Sequence, residues 1–396
     1  LPVIKLKNIL GKLRKLNILM FSCMVGLSVI GVMFVYSACS VRDNPDLQVL
    51  YMRHAEVGLF GLVLYLIVAC IDYRKLIKWS WLLYIGCLGL LVLVPLIGTE
   101  IMGAKRWIFG IQPSELAKLS IIMIMAWFLG LDKKFKGFLY IAVTAVIVGV
   151  PSALILAQPD LGTAMVMVPT TFAMMFAGNI APRWIWTFFL IGVVLAGTIL
   201  GIISHVEKKD ISEEQKVERI MEITHLKRHQ VKRLQVFLFP NKDLHGSGYN
   251  LRQSMIAIGS GGMNGRGYLK GELYSLGYLP SSVSSNDFIF SVLAEESGFR
   301  GALMVLLLFL GILWPGLWVA FSCQDNSGRM LCVGVTTLIF SHMFINIAMT
   351  IGLMPITGLP LPFISYGRTF MLTMMLALGL VQSVSINGRE PESSFE

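Results

Sequence analysis

Charge is scarce in this sequence. Only 14% of its 396 residues are Asp, Glu, Lys or Arg, against 55% hydrophobic residues, and mean hydropathy is +0.72. So little charge cannot cover a water-exposed surface, which excludes an ordinary soluble enzyme and indicates a chain that crosses a membrane repeatedly. Cysteine is scarce too. The six, Cys23, Cys39, Cys70, Cys87, Cys323 and Cys332, form no CxxC pair, and most lie in or beside apolar runs. That pattern suits free membrane-buried thiols and neither a disulfide framework nor a zinc site.

Negative charge is the scarcer sign. Lys and Arg total 33 and Asp and Glu 23, a formal charge of +10. Much of the excess sits in loops and termini beside apolar spans, so lipid headgroups and anionic lipid-linked molecules are the indicated partners, and nucleic acid is not. Several signatures are absent. His225 and His229 have the HxxxH spacing of zinc ligands, but Leu226 follows His225 where HExxH needs its general-base Glu, so the pair reads as part of a solvated basic face. GSGGMNGRG does not match GxxxxGK[ST] and has no βαβ context; its glycines would let backbone approach a ligand or a neighbouring helix. No internal repeat recurs at a fixed period.

What the chain does have is apolar length. Ten candidate spans fall at 17–37, 54–71, 78–98, 114–130, 136–157, 162–178, 183–203, 297–321, 330–353 and 364–386. The expectation is an all-α polytopic protein forming a single integral membrane domain over 1–396. A basic start runs into a first apolar stretch of about twenty residues, long enough to span, so no cleavable signal peptide is expected. Lys5, Lys7, Lys12, Arg14 and Lys15, then Arg74, Lys75 and Lys78, then Lys133, Lys134 and Lys136 fall on one side of alternating spans. That side is cytoplasmic by the positive-inside rule, with both termini on it. Segment 204–296 then lies outside as one long loop, opening with an amphipathic stretch, EEQKVERIMEITHLKRHQVKRLQVF, suited to the membrane surface.

The candidate polar residues each admit two readings. Asp287, in SSNDFIF, stands at the start of an apolar run; it reads as part of a helix start capped by Ser284, Ser285 or Asn286, and, compatibly, as a half-shielded carboxylate with the raised pKa of a base. Glu295 lies about 12 Å further along a helix, too far for a glycosidase pair, and Glu295 or Glu296 facing the bundle would need a cationic partner. Glu115 and Lys118 can pair at i, i+3. Asp160 in QPDLGT reads as the cap of a broken helix, and Asn346 and His342 as interhelical hydrogen bonders. Pro355, Pro360 and Pro362 interrupt the chain between the last two spans, as an outer loop or broken helix able to line a cavity.

In chain order, GAKRWI, QPSELAK, QPDLGT, HQVKRLQVF, GSGYNLRQSMIAIGSGG, NDFIFSVLAEESGFRGA and GLPLPFISYG resemble the SEDS family of cell-shape, division and sporulation proteins. The likeness runs from the first span to the last. QSMIAIGSGG followed by GYLKG is more similar to the elongation (RodA) branch than to the division (FtsW) branch. The resemblance implies a peptidoglycan glycosyltransferase that polymerises lipid II at the outer face of the bacterial plasma membrane, beside a class B penicillin-binding protein. It implies that Asp287 is the essential carboxylate, that Glu115 and Lys118 are the family's Glu–Lys pair, and that Arg106 is the Arg of its GAxRW motif. Asp160, Gln253, Ser254, Glu295 and Ser365 fall in matching motifs as binding or supporting residues.

The chain departs from the family pattern in three places. LPSSVSSNDFIF stands for LPExHTDFIF, FLFP with Phe239 for FLDP, and SYGRT with Arg368 for SYGGS. The implied reaction needs one base, Asp287, and cations for a leaving pyrophosphate, for which Arg106, Arg233 and Lys270 are candidates. No cofactor is called for with certainty; a divalent cation, Mg or Mn, could share the pyrophosphate charge. A flippase of lipid-linked precursors would use a similar groove, and a non-catalytic scaffold would need only the partner-binding surface.

Overall fold

A computed structural model describes residues 11–40, 49–101, 104–131, 138–158, 160–240, 243, 246–272 and 284–388. The membrane helices are α1 (Ile18–Ser40), α2 (Leu50–Cys70), α4 (Ser80–Ile97), α5 (Pro113–Gly130), α6 (Phe138–Ala157), α7 (Leu161–Ala177), α8 (Pro182–Glu207), α12 (Ile289–Ser322), α13 (Asn326–Thr350) and α14 (Arg368–Asn387). Nine of them are long and apolar enough to cross a bilayer, and α7 is a shorter apolar helix. Short α3 (Tyr73–Lys78), a hairpin of β1 (Thr99–Ile101) and β2 (Ala104–Trp107), and α9 (Glu213–Thr224), α10 (Arg228–Leu238) and α11 (Ser247–Ser260) complete the described elements. The fold is thus an all-α polytopic bundle.

α5, α13 and α14 form its centre and are buried along most of their length, while α8 faces outward almost throughout. α2 packs on α14, α1 on α12, and α13 on α5, α7 and α12. In lipid no hydrophobic force separates helix from tail, so contact depends on close fit. At Gly379 an added Cβ would sit 3.0 Å from the Tyr65 carbonyl oxygen, which marks how closely α14 approaches α2.

Hydrogen bonds define two opposite ends. At one, Lys12 Nζ donates to the Cys70 carbonyl (2.9 Å), Tyr73 Oη to Asp325 (3.0 Å), and Asp325 caps α13 through the N–H groups of Ser327 and Gly328. The other end carries the β-hairpin, Gln158 and Asp160, α9 to α11 and the irregular stretch 351–367.

The described parts of segment 204–296 are more structured than a surface helix followed by a glycine-rich coil. α8 runs on to Glu207, and the amphipathic stretch breaks at His225, whose φ of 55° is left-handed. The break reverses the chain. Val217 and Ile220 of α9 and Val231 of α10 can then all pack on Ile203 and Val206 of α8, which a single straight helix could not achieve.

The next helix also starts earlier than its hydropathy suggests. α12 begins at Ile289 and is broken at Gly298 (φ 67°, ψ −166°), so Glu295 and Glu296 lie in a helical segment ahead of the break. The glycine-rich loop clasps that break. Arg266 N donates to Glu295 O (3.0 Å), Gly267 N to Glu296 O (2.9 Å) and Phe299 N to Gly262 O (2.8 Å). Gly265, with φ 75°, lies so close that a Cβ would fall 2.1 Å from the Glu296 carbonyl.

Gly265→Ala therefore combines a left-handed penalty of about 1–2 kcal/mol with a backbone clash, and is expected to lower the melting midpoint of the purified protein sharply. Gly259→Ala, in α11 with nothing within 4 Å of the new methyl, is expected to hold or raise it. Equal midpoints for the two variants would refute the clasp.

Candidate functional site

The polar groups gather at the loop-bearing end, where α12 begins, α13 ends and α14 begins. The backbone just before α12 is pinned residue by residue. Tyr366 N donates to Ser285 O (3.0 Å), Ser365 Oγ to Asn286 O (2.6 Å) and Asn346 Nδ2 to Asp287 O (2.9 Å). The next side chain, Phe288, is buried against Val236, Leu251 and Ile356. With carbonyls and Phe288 thus committed, Asp287 directs its carboxylate to Gly358, where a Cβ would lie 3.4 Å from Asp287 Oδ2 and 3.8 Å from Arg233 Nη2. Asp287 is not a cap: the N-cap of α12 is Phe288, and no side chain bonds there.

Arg233 comes from α10 and is itself fixed, its Nη1 donating to Thr357 O (3.0 Å). Asn346 Nδ2 also donates to Leu359 O (2.7 Å), and Leu361 N donates to Ser365 Oγ (2.8 Å). Stretch 351–367 is consequently the shared frame of the Asp287 carboxylate and the Arg233 guanidinium. It dips into the bundle, with Leu359, Leu361, Phe363 and Ile364 buried. Irregular backbone at such depth is tolerated because protein groups take up its carbonyls.

Electrostatics oppose one another at Asp287. The side chain is half-buried, and desolvation pushes its carboxyl up to about 6, although Arg233 and then Arg106 pull it down. Burial lowers the Arg233 pKa, and Asp287 offsets part of that effect. The result is a carboxylate poised near neutrality beside a guanidinium.

Arg106 on β2 donates through Nε to Gln158 O (3.1 Å) and feels the charge of both Asp287 and Arg233. Asp160 is the N-cap of α7, accepting from Thr163 N (3.1 Å), Thr163 Oγ1 (2.9 Å) and Ser114 Oγ (3.2 Å); Gln112 Nε2 approaches at 3.4 Å. It thereby ties α7 to the start of α5 within the field of Arg233. Pro159 lies outside the described residues.

One turn into α5, Glu115 and Lys118 form a buried pair (2.8 Å), and Lys118 Nζ lies 3.0 Å from His342 Nε2 and 5.4 Å from the Phe370 ring centre. This pair braces α5 against α13 and α14.

Other candidates lie elsewhere. Ser254 bonds Ser291 Oγ and Thr350 O, joining α11 to α12 and α13. Its neighbour Gln253 is half-buried and enters none of these bonds. Glu295 accepts from Glu272 N (2.9 Å) with Arg266 Nε at 4.0 Å, the cationic partner the sequence asked for; Glu296 accepts from Ser37 Oγ (2.6 Å) and from the N–H groups of Leu269 and Gly271. Exposed Lys270 stands between those two donors. Glu296, the acid those donors hold, lies nine residues along the chain from Asp287, about 13 Å at helical rise, and Lys270 belongs to the loop around Glu296. Among the described residues no group of three or more His, Cys, Asp or Glu is placed to hold a metal ion.

Sequence reasoning undervalued Asn346, the amide that holds Asp287 and Leu359 together. Its signal was there: a lone amide nine residues before Pro355, in a mostly apolar run. Gln112 and Gln158, which connect the loops, open the QPSELAK and QPDLGT motifs but were not singled out as site residues.

Lys118→Met leaves Glu115 buried without its cation and is expected to cost about 3–5 kcal/mol, whereas Glu115→Gln with Lys118→Met should recover most of that. Thermal midpoints of purified wild type, single and double variants measure it. A double variant as unstable as the single one would show that the pair does more than neutralise itself.

The family model described as Cell cycle protein, FTSW_RODA_SPOVE, matches residues 17–390. Peptidoglycan glycosyltransferase MrdB of Escherichia coli strain K12 is 33% identical over 358 residues, covering 89% of this chain and 90% of that protein. Peptidoglycan glycosyltransferase RodA of Treponema pallidum is 33% identical over 427 residues, covering 94% and 97%. A chain from a solved peptidoglycan synthase complex, described as structural coordination of polymerization and crosslinking, superposes with a TM-score of 0.73 at 26% identity, covering 93% of this chain and 97% of that one.

Proposed function

The chain belongs to the family of FtsW, RodA and SpoVE cell-cycle proteins, the SEDS family, and from that premise we propose that it is a RodA-like peptidoglycan glycosyltransferase polymerising lipid II for cell elongation. Relatives bearing that name support the reading. The observation that carries it is the half-buried Asp287 carboxylate facing Arg233 at the open end of the bundle.

The chemistry follows from that pair. The 4-hydroxyl of one lipid-linked sugar attacks the anomeric carbon of another. A new C–O bond forms there as the bond to the lipid pyrophosphate breaks. Asp287 takes the hydroxyl proton, and with its carboxyl near 6 it returns that proton to water at neutral pH. A positioned base of this kind contributes about 10²–10⁴-fold. Arg233 and Arg106 face the negative charge that gathers on the departing pyrophosphate. Pyrophosphate is a good leaving group, so a second carboxylic acid is not needed, in keeping with the structural duties of Glu295 and Glu296.

The basic residues Lys12, Arg14, Lys15, Arg74, Lys75 and Lys78 crowd the opposite end of the bundle. That supports cytoplasmic termini and an outward-facing site in the plasma membrane. A class B penicillin-binding protein is the fitting partner, since the structural neighbour comes from a complex that couples polymerisation to crosslinking. A divalent cation, Mg or Mn, would share the charge of the pyrophosphate.

Asp287→Asn is expected to cut lipid II polymerisation by purified protein, with the partner present, by about 10²-fold or more. For the wild type, rate should rise with pH and level off above about 6, because the base must be deprotonated. Arg233→Gln removes a cation that favours the carboxylate, so the rise should move to higher pH. Full glycan synthesis by Asp287→Asn, or a pH limb unmoved by Arg233→Gln, would contradict the assignment.

A further inference from the structure

An arginine that the family pattern does not contain stands beside the site. Arg368 stands where SYGGS has glycine, as the first residue of α14. Two residues before it, Tyr366 N holds Ser285 O, itself two residues ahead of Asp287. One residue after it, Thr369 Oγ1 accepts from Gln112 N (3.3 Å), and Gln112 reaches Asp160 within the Arg233 field. Arg368 is therefore built into the rim of the Asp287 site.

Its side chain lies along the turn after β2. Phe109 (φ 49°) and Gly110 (φ 76°) shape that turn, and a Cβ at Gly110 would fall 3.7 Å from Arg368 Nη2. The guanidinium is exposed and makes no ion pair among the described residues. The nearest carboxylate in this chain of contacts, Asp160, is already occupied by Thr163, Ser114 and Gln112. An uncompensated arginine at a helix start, on the rim that holds Arg233 and Arg106, favours an anion with oxygens to share.

We infer that Arg368 is a specificity residue that binds a phosphate group of the lipid-linked substrate at the mouth of the Asp287 site. The inference rests on the glycosyltransferase reading for the identity of that lipid. Arg106 and Arg233 then meet the charge at the reacting end, and Arg368 holds the phosphate on the approach. A phospholipid headgroup presents the same chemistry, so the test must separate the two sources.

The test measures binding of undecaprenyl pyrophosphate to full-length wild type, Arg368→Gly and Arg368→Lys in phosphatidylcholine nanodiscs, alongside lipid II polymerisation. Arg368→Gly, which restores the family residue, should weaken binding by about five- to tenfold and raise KM for lipid II by a similar factor, with less difference at high salt. Arg368→Lys should retain part of the affinity. Equal affinity of wild type and Arg368→Gly overturns the inference. So does a difference that appears only when phosphatidylglycerol is added to the discs, which would make the headgroup the ligand. Wild type that binds the pyrophosphate lipid through Arg368 yet forms no glycan with the partner present would remove the glycosyltransferase reading and leave the phosphate contact standing.

Discussion

Backbone polar groups inside a membrane protein must find partners within the protein, and the site is organised around that constraint. Stretch 351–367 is irregular yet buried, so its carbonyls need donors. Asn346 serves Leu359, and Arg233 serves Thr357. Asn346 also donates to Asp287, and Ser365 to Asn286. The bonds that make the loop affordable are thus the bonds that aim the Asp287 carboxylate. An unmade one would cost about 1–3 kcal/mol and would displace the carboxylate as well.

The same low-dielectric surroundings give the buried acids different duties. Glu115 meets Lys118 at 2.8 Å, and the pair cancels its own charge while joining helices. Glu295 and Glu296 are absorbed by backbone N–H groups of the glycine-rich loop and by Ser37. Asp287 keeps an open side, faces arginines without being fully neutralised by them, and ends with its carboxyl at about 6. Among these acids, it alone combines a proton affinity near neutral pH with a position at the open end.

Much of this was legible in the residues. Apolar length revealed the spans because lipid demands a continuous run from each helix, and the order of motifs brought out Asp287, Glu115 and Lys118 through family likeness. What stayed hidden depends on tertiary contact. Periodicity cannot tell one amphipathic helix from two that reverse at His225, since both carry the same faces. Nor can it place Lys270 at the clasp and Arg233 beside the base: both are cations in polar text, separated only by how α10 and the glycine-rich loop pack. The capping reading of Asp287 failed for the same reason, because the polar run ahead of it is consumed by loop 351–367.

The first segment of α12 explains why those distant contacts matter to chemistry. It is a short rigid rod with Asp287 just ahead of one end and Glu296 near the other. Asn346, Ser365 and Tyr366 hold the first end, and the glycine-rich clasp with Ser37 holds the second. A rod fixed at both ends cannot slide or tilt without breaking buried bonds. On the proposed reading Asp287 must meet a sugar hydroxyl within hydrogen-bond reach and gains from such restraint, since displacement of about 1 Å can cost 10²-fold in rate. The glycines of the clasp, remote from the reacting atoms, are on this argument part of what keeps the carboxylate in place while a mobile lipid-borne substrate comes to it.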